Sequence, residues 1–140
     1  MPCPFFEPQQ VASDPHDATA RVPLIEEYEG SCRAGAVVQP VEVADRFRCC
    51  NHGYSRGNCA RFPLDDARCA YRFHTVKSDG TSLDLIWIEE RDYAPVRWES
   101  VRYSFLDDSL TPQPFDICLR AQVIAFCRSY RKRFLLSDVR

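Results

Sequence analysis

The chain divides near residue 66 into two stretches of unlike composition, and that division limits what it can fold into. Residues 1–66 hold seven of the ten prolines, four of the five glycines and five of the eight cysteines, but only six of the seventeen aromatic residues. Proline fixes φ and removes a backbone donor, and glycine weakens any regular element, so such a stretch has little regular structure to bury. Something else must offset the entropy of ordering it. Residues 67–140 are patterned instead. CAYRFHTV (69–76) alternates, with Cys69, Tyr71 and Phe73 on one face. Asp79-Gly80 predicts a hairpin turn, and SLDLIWIEE (82–90) the returning strand. Val96 to Leu106 predicts further strand, with Val101, Tyr103 and Phe105 on one side. Thr111-Pro112 reads as a helix start, Thr as N-cap and Pro in the first turn, with the helix running to about Arg133. Phe115, Leu119, Gln122, Phe126 and Tyr130 would form its inward stripe. The expected fold is α+β: a small antiparallel sheet with a long C-terminal helix and a loop-rich, cysteine-bearing N-terminal half. A chain of 140 residues fits one domain, 1–140.

Several function classes recede on composition. No apolar run approaches the roughly 20 residues that span a bilayer. The opening MPCPFFEPQQ lacks a basic n-region and an apolar h-region, so the expected location is the cytoplasm, with no membrane contact. A net charge of −2 gives no global pull toward nucleic acid. Arg120, Arg128, Arg131, Lys132 and Arg133, with Tyr130 and Phe134, make a basic helix end suited to phosphate and base stacking. Cations there also match the helix dipole, which is the preferred reading.

Eight cysteines are many for a reducing compartment, where thiols are buried, catalytic or metal-bound rather than paired. Cys118 and Cys127 lie nine residues apart on the expected helix, about 180° around it, and cannot share an ion. Cys69 sits mid-strand and reads as a packed core thiol. Cys3, Cys32, Cys49, Cys50 and Cys59 remain, all in the half that lacks other organisation. A short helix opening at Gln39-Pro40-Val41 would place Val43, Phe47 and Cys50 on one face and rotate Cys49 by about 100°. Asn51 or Gly53 would end it in a left-handed turn. Cys50 is therefore the expected ligand, with Cys49 as its substitute. Gly53, Tyr54 and Gly57 supply a tight loop that can return Cys59 toward Cys50. Pro2 and Pro4 stiffen the terminus around Cys3, and Cys32 follows Gly30-Ser31 with no helix or strand expected around it.

Structural zinc sites favour close C-x2–4-C pairs, and this chain has no CxxC. A four-iron cluster is bulkier and takes thiolates from scattered loops, so Cys3, Cys32, Cys50 and Cys59 suit a [4Fe–4S] cluster better, with Zn the alternative. Arg46, Arg48, Arg56 and Arg61, with His52, are the expected surrounding groups, able to donate toward thiolate sulfur. His52 as a ligand is the lesser reading.

The segments CPFFEP, RVPL with Tyr28, Gly30 and Cys32, and CCNHGYSRGNCARFP together resemble a family of small uncharacterised bacterial proteins with an iron–sulfur character. The resemblance spans mainly residues 3–63. It implies that Cys3, Cys32, one of Cys49 or Cys50, and Cys59 act as a set, and it brings no activity, substrate or partner. The expected function is cluster binding for electron transfer or redox sensing with an unknown redox partner protein, the cluster also holding the N-terminal half. The alternative is a zinc-stabilised interaction or nucleic-acid-binding module without redox chemistry. An enzyme of its own is the less favoured reading: a thiol enzyme pairing Cys50 with His52 would need an orienting carboxylate that cannot be named.

Overall fold

The computed structural model describes residues 2–16, 22–52, 55–56 and 58–136. Two antiparallel sheets and a long C-terminal helix make a mixed α+β molecule. The first sheet has three strands, β1 (Phe6–Val11), β2 (Tyr28–Cys32) and β3 (Gln39–Pro40), in that order. The N-terminal half is thus more regular than its prolines suggest. Cys32 ends strand β2, opposite Phe6 on one side and Gln39 on the other. Gly30 makes the pairing feasible: a Cβ there would lie 2.0 Å from the Glu7 carbonyl oxygen. Pro8 faces Gly30, and the register shifts between Pro8 and Gln10, so the prolines are absorbed at an irregularity of an edge strand.

Gln39-Pro40 belongs to β3 and does not open a helix. Helix α1 is short, Val43–Asp45, and runs on into a widened π-type turn, Arg46–His52. Hydrogen bonds from i to i+5 spread each turn over more residues, so the expected Val43–Phe47–Cys50 face does not form. Val43 is exposed, and Cys49, not Cys50, is the more deeply buried of the pair. The left-handed helix end expected at Asn51 is absent, since the turn continues to His52; the loop residues Gly53, Tyr54 and Gly57 lie outside the described residues.

The second sheet runs β4 (Ala70–Ser78), β5 (Ser82–Arg91), β6 (Ala94–Ser104), β7 (Leu110–Thr111). The expected turn between β4 and β5 is present, with Gly80 at φ 90° and Asp79 Oδ1 accepting from the backbone of Thr81 and Ser82. The β5–β6 turn consists of Asp92 and Tyr93, both at positive φ. That is the twist-matched geometry of a two-residue hairpin, built without glycine.

Thr111 pairs in β7, and the helix begins later than Thr111-Pro112 suggests. Helix α2 spans Ile117–Tyr130, capped by Asp116, whose carboxylate accepts from the Leu119 N–H at 3.0 Å. Phe115 consequently lies outside the helix and is exposed rather than inward. Leu119, Gln122 and Phe126 do face inward. The chain continues as a π-type segment, Arg131–Leu136. Arg128, expected to serve the helix dipole, forms an ion pair with Asp108 at 2.5 Å.

One apolar core joins Phe6, Leu24, Tyr28 and Phe62 from the first half to Tyr71, Leu85, Trp87, Val101, Val123 and Phe126 from the second. Helix α2 packs chiefly against β1 of the first sheet and also meets β4 of the second. From its buried face Gln122 donates to the Cys3 carbonyl at 2.7 Å and the Phe6 carbonyl at 2.8 Å. Among the described residues, no helix is long and apolar enough to cross a membrane.

Candidate metal centre

Four separate segments bring five thiols to one place. Cys3 follows buried Pro2 in the N-terminal strand lead, where its N–H donates to the Cys50 carbonyl at 3.1 Å. Cys32 arrives at the end of β2. Cys49 and Cys50 come from the wide turn after α1. Cys59 closes a short turn in which its N–H bonds the Ser55 carbonyl at 2.8 Å, and the Ser55 hydroxyl in turn donates to the Cys49 carbonyl. These five cysteines, with Phe6, Ala34, Ser55, Arg61 and Phe62, line a small apolar cavity of about 20 Å³. That is room for about one water. All eight cysteines of the chain are free thiols.

The thiols act on one another electrically. The Cys3 thiol is pushed up to about 12, chiefly by burial, with Cys32 and Cys59 adding to the rise and bonds from Phe5 and Ser55 opposing it. Burial likewise holds Cys50 far above the ordinary thiol range, with Cys3, Cys32, Cys49 and Cys59 all adding to it. Cys49 is raised by burial and by Cys59, against a hydrogen bond from Arg48 that lowers it. Cys50 is thus the thiol that feels all four others, whereas Cys49 is affected chiefly by burial, Arg48 and Cys59. Among the described residues, no group of three or more His, Cys, Asp and Glu side chains is arranged as it would be to hold a metal ion. The sulfurs ring a cavity instead of closing on a point.

The surrounding groups divide. Arg48 bonds to the Cys49 thiol. Arg46 turns away from the thiols: it is 2% exposed, bonded to Glu27 at 2.6 Å and to Asp14 at 3.1 Å. Burial alone would raise the Glu27 carboxyl, but bonds from His16 and Arg46 outweigh it and hold the group low. His52 stacks on Phe47 at 5.1 Å, and His16 stacks on Phe47 at 5.5 Å. Arg56 lies over the Phe62 ring at 5.3 Å. Of the remaining cysteines, Cys69, Cys118 and Cys127 are buried and none lines this cavity, although Cys118 is near enough to be raised slightly by Cys3.

Asn51 and Gln122 support the site in ways that residue type alone does not announce. Asn51, fully buried, accepts from the Tyr28 N–H at 2.8 Å and donates to the carbonyls of Tyr28 and Arg46 at 2.9 Å each. It locks the cysteine-bearing turn to β2. Gln122 was visible as part of an inward stripe, and a glutamine in an apolar stripe is the signal that it has backbone to bond. Arg61, one of the expected arginines, lines the cavity, and with Cys32 it also borders a wider surface groove of about 470 Å³ beside Gly35, Val37 and Gln39. The chain matches no protein-family model, no curated protein and no solved structure.

Proposed function

We propose that the protein binds a [4Fe–4S] cluster through Cys3, Cys32, Cys50 and Cys59, and serves electron transfer or redox sensing with a partner protein. The observation that carries this reading is the convergence of five thiols, from four segments distant in sequence, on one apolar cavity. The donor set is all sulfur, which suits iron–sulfur chemistry. The ringed arrangement suits a four-metal core better than a single zinc, whose four ligands pack at about 2.3 Å around one point. The cavity has room for about one water, so loading a cluster requires its lining to open. When bound, the group supplies one-electron chemistry at a potential set by charge, hydrogen bonds to sulfur and exposure.

The chain's own residues explain the rest. Cys50 is favoured over Cys49 because its carbonyl is bonded to the Cys3 N–H at 3.1 Å and its thiol lies within electrostatic reach of Cys3, Cys32 and Cys59. Cys49, bonded to Arg48, is the fifth thiol beside the set. Gln122 and the Cys50 carbonyl fix the backbone on either side of Cys3, so that ligand does not depend on a fraying end. The groove at Cys32 and Arg61 opens beside the site, and a redox partner would approach from that side.

Anaerobically prepared protein should contain about four iron and four sulfide per chain, with broad visible absorption that bleaches on reduction. Cys3→Ala, Cys50→Ala and Cys59→Ala should lose that absorption, while Cys49→Ala and Cys127→Ala keep it. A colourless protein with one zinc per chain refutes the reading in favour of the zinc-stabilised module. Retention of iron by Cys3→Ala together with its loss from Cys127→Ala refutes the ligand set.

A further inference from the structure

The four-stranded sheet is longer than the helix that covers it, and its inner face changes character where α2 begins. Under the helix that face is Leu83, Leu85, Val101 and Tyr103, all buried. Beyond the helix start the paired residues are Trp87 with Glu99 and Glu89 with Arg97. Here the sheet and the segment Pro112–Asp116 enclose a cavity of about 580 Å³, within the range of small-molecule sites. It shares no residue with the thiol cavity.

Most charges in this cavity are already matched. Arg68 is paired with Asp66 and Asp116, each at 2.9 Å, and Arg91 with Glu89 at 3.2 Å. Arg97 and Glu99 have no ion-pair partner among the described residues. The Arg97 guanidinium is held between two rings, 5.4 Å from Trp87 and 5.7 Å from Phe115. Phe115 is 79% exposed and follows two prolines in Pro112-Gln113-Pro114-Phe115. The Trp87 side chain is 3% exposed, and its indole N–H is buried with no acceptor among the described residues. A buried donor without an acceptor costs about 1–3 kcal/mol and points to an absent partner.

We propose that this cavity binds a free α-amino acid with an apolar side chain. Arg97 and Glu99 are two residues apart on one face of a strand, about 6.6 Å along it. A zwitterion set between them presents its carboxylate to Arg97 and its ammonium to Glu99. The Trp87 N–H, buried without an acceptor among the described residues, donates to the second carboxylate oxygen. The apolar side chain covers the Phe115 ring. A simple acid or amine satisfies half of this arrangement and leaves one charge of the pair unmatched.

The protein carries two tryptophans, and Trp98 faces the opposite side of the sheet. Fluorescence titration of purified Trp98→Phe protein therefore reports on Trp87, with calorimetry of the natural chain as the second measurement. L-Phenylalanine should bind saturably, and 3-phenylpropionate and phenethylamine each about tenfold or more weaker, as expected for losing one charged hydrogen bond. Arg97→Gln should weaken phenylalanine to the level of phenethylamine and leave phenethylamine unchanged. Glu99→Gln should do the same toward phenylpropionate. Both residues are exposed strand positions, so the variants fold, as far-ultraviolet circular dichroism will check. Absence of saturable binding by phenylalanine and leucine overturns the proposal, as does equal binding of phenylalanine and either half-ligand. Iron content plays no part in these outcomes, so the two readings stand or fall separately.

Discussion

Asn51 uses both ends of its amide on backbone, and two of its three bonds go to Tyr28 in the strand that delivers Cys32. Replacing it by alanine removes three hydrogen bonds to buried backbone. At about 1 kcal/mol for each bond the loss should be roughly 2–4 kcal/mol, read as a lower urea midpoint at unchanged slope. The cysteines themselves were legible, because residues that fit no strand or helix pattern still needed a reason to be there. Their companions were less so. Arg46 looked like a neighbour of the thiols by its place in the chain, yet a buried guanidinium must be paired, and Glu27 and Asp14 claim it. A carboxylate 19 residues away cannot be assigned to an arginine by spacing. Cys50 was expected inward from a 3.6-residue period, and it reaches the cavity by a wider turn that also carries Cys49 there.

Strand β2 is where the elements show most clearly what pattern reading misses. Tyr28–Cys32 contains one strongly apolar side chain and a glycine, so no alternation marks it. What makes it a strand is the close passage of β1, and Gly30 permits that passage. Gly30→Ala would place a methyl 2.0 Å from the Glu7 carbonyl oxygen, and backbone cannot give way as a side chain tip can. The expected outcome is separation of β1 from β2, a stability loss of roughly 2–4 kcal/mol in denaturant titration, and displaced thiols at Cys3 and Cys32. Helix α2 was foreseen, but its start was not. TPQPFD holds two start signals, and the second prevails because Leu110-Thr111 pairs with the edge of β6 and Asp116 is free to cap. The Asp79-Gly80 turn announced itself by glycine, whereas Asp92-Tyr93 adopts the same handedness without one and gave no notice.

Across the molecule the carboxylates set how stability responds to acid. Asp66 is held below the ordinary carboxylate value by its bonds from Arg68, Asp108 by those from Arg128, and Asp84 by those from Arg102. Asp79 is lowered to about 2 by N–H and hydroxyl groups of Thr81 and Ser82. A carboxyl whose folded value is depressed adds stability that is complete above its unfolded value, about 3.9, and disappears as pH falls through the folded value. Urea midpoints at fixed ionic strength should therefore hold steady just above pH 5 and fall between about pH 4 and pH 2. An unchanged midpoint across that interval contradicts these pairings. The mixed α+β outline was readable because the second half obeys simple periods. The first half was not, because its order comes from contacts that close over long separations, such as Gln122 to Cys3 across 119 positions.

That last bond couples the two ends of the chain mechanically. A helix near the carboxyl end grips the carbonyls of the third and sixth residues, so the opening strand cannot peel away while the helix stays seated. Amide protons in both segments should leave together, at the slow pace of whole-molecule opening and not that of a loose end.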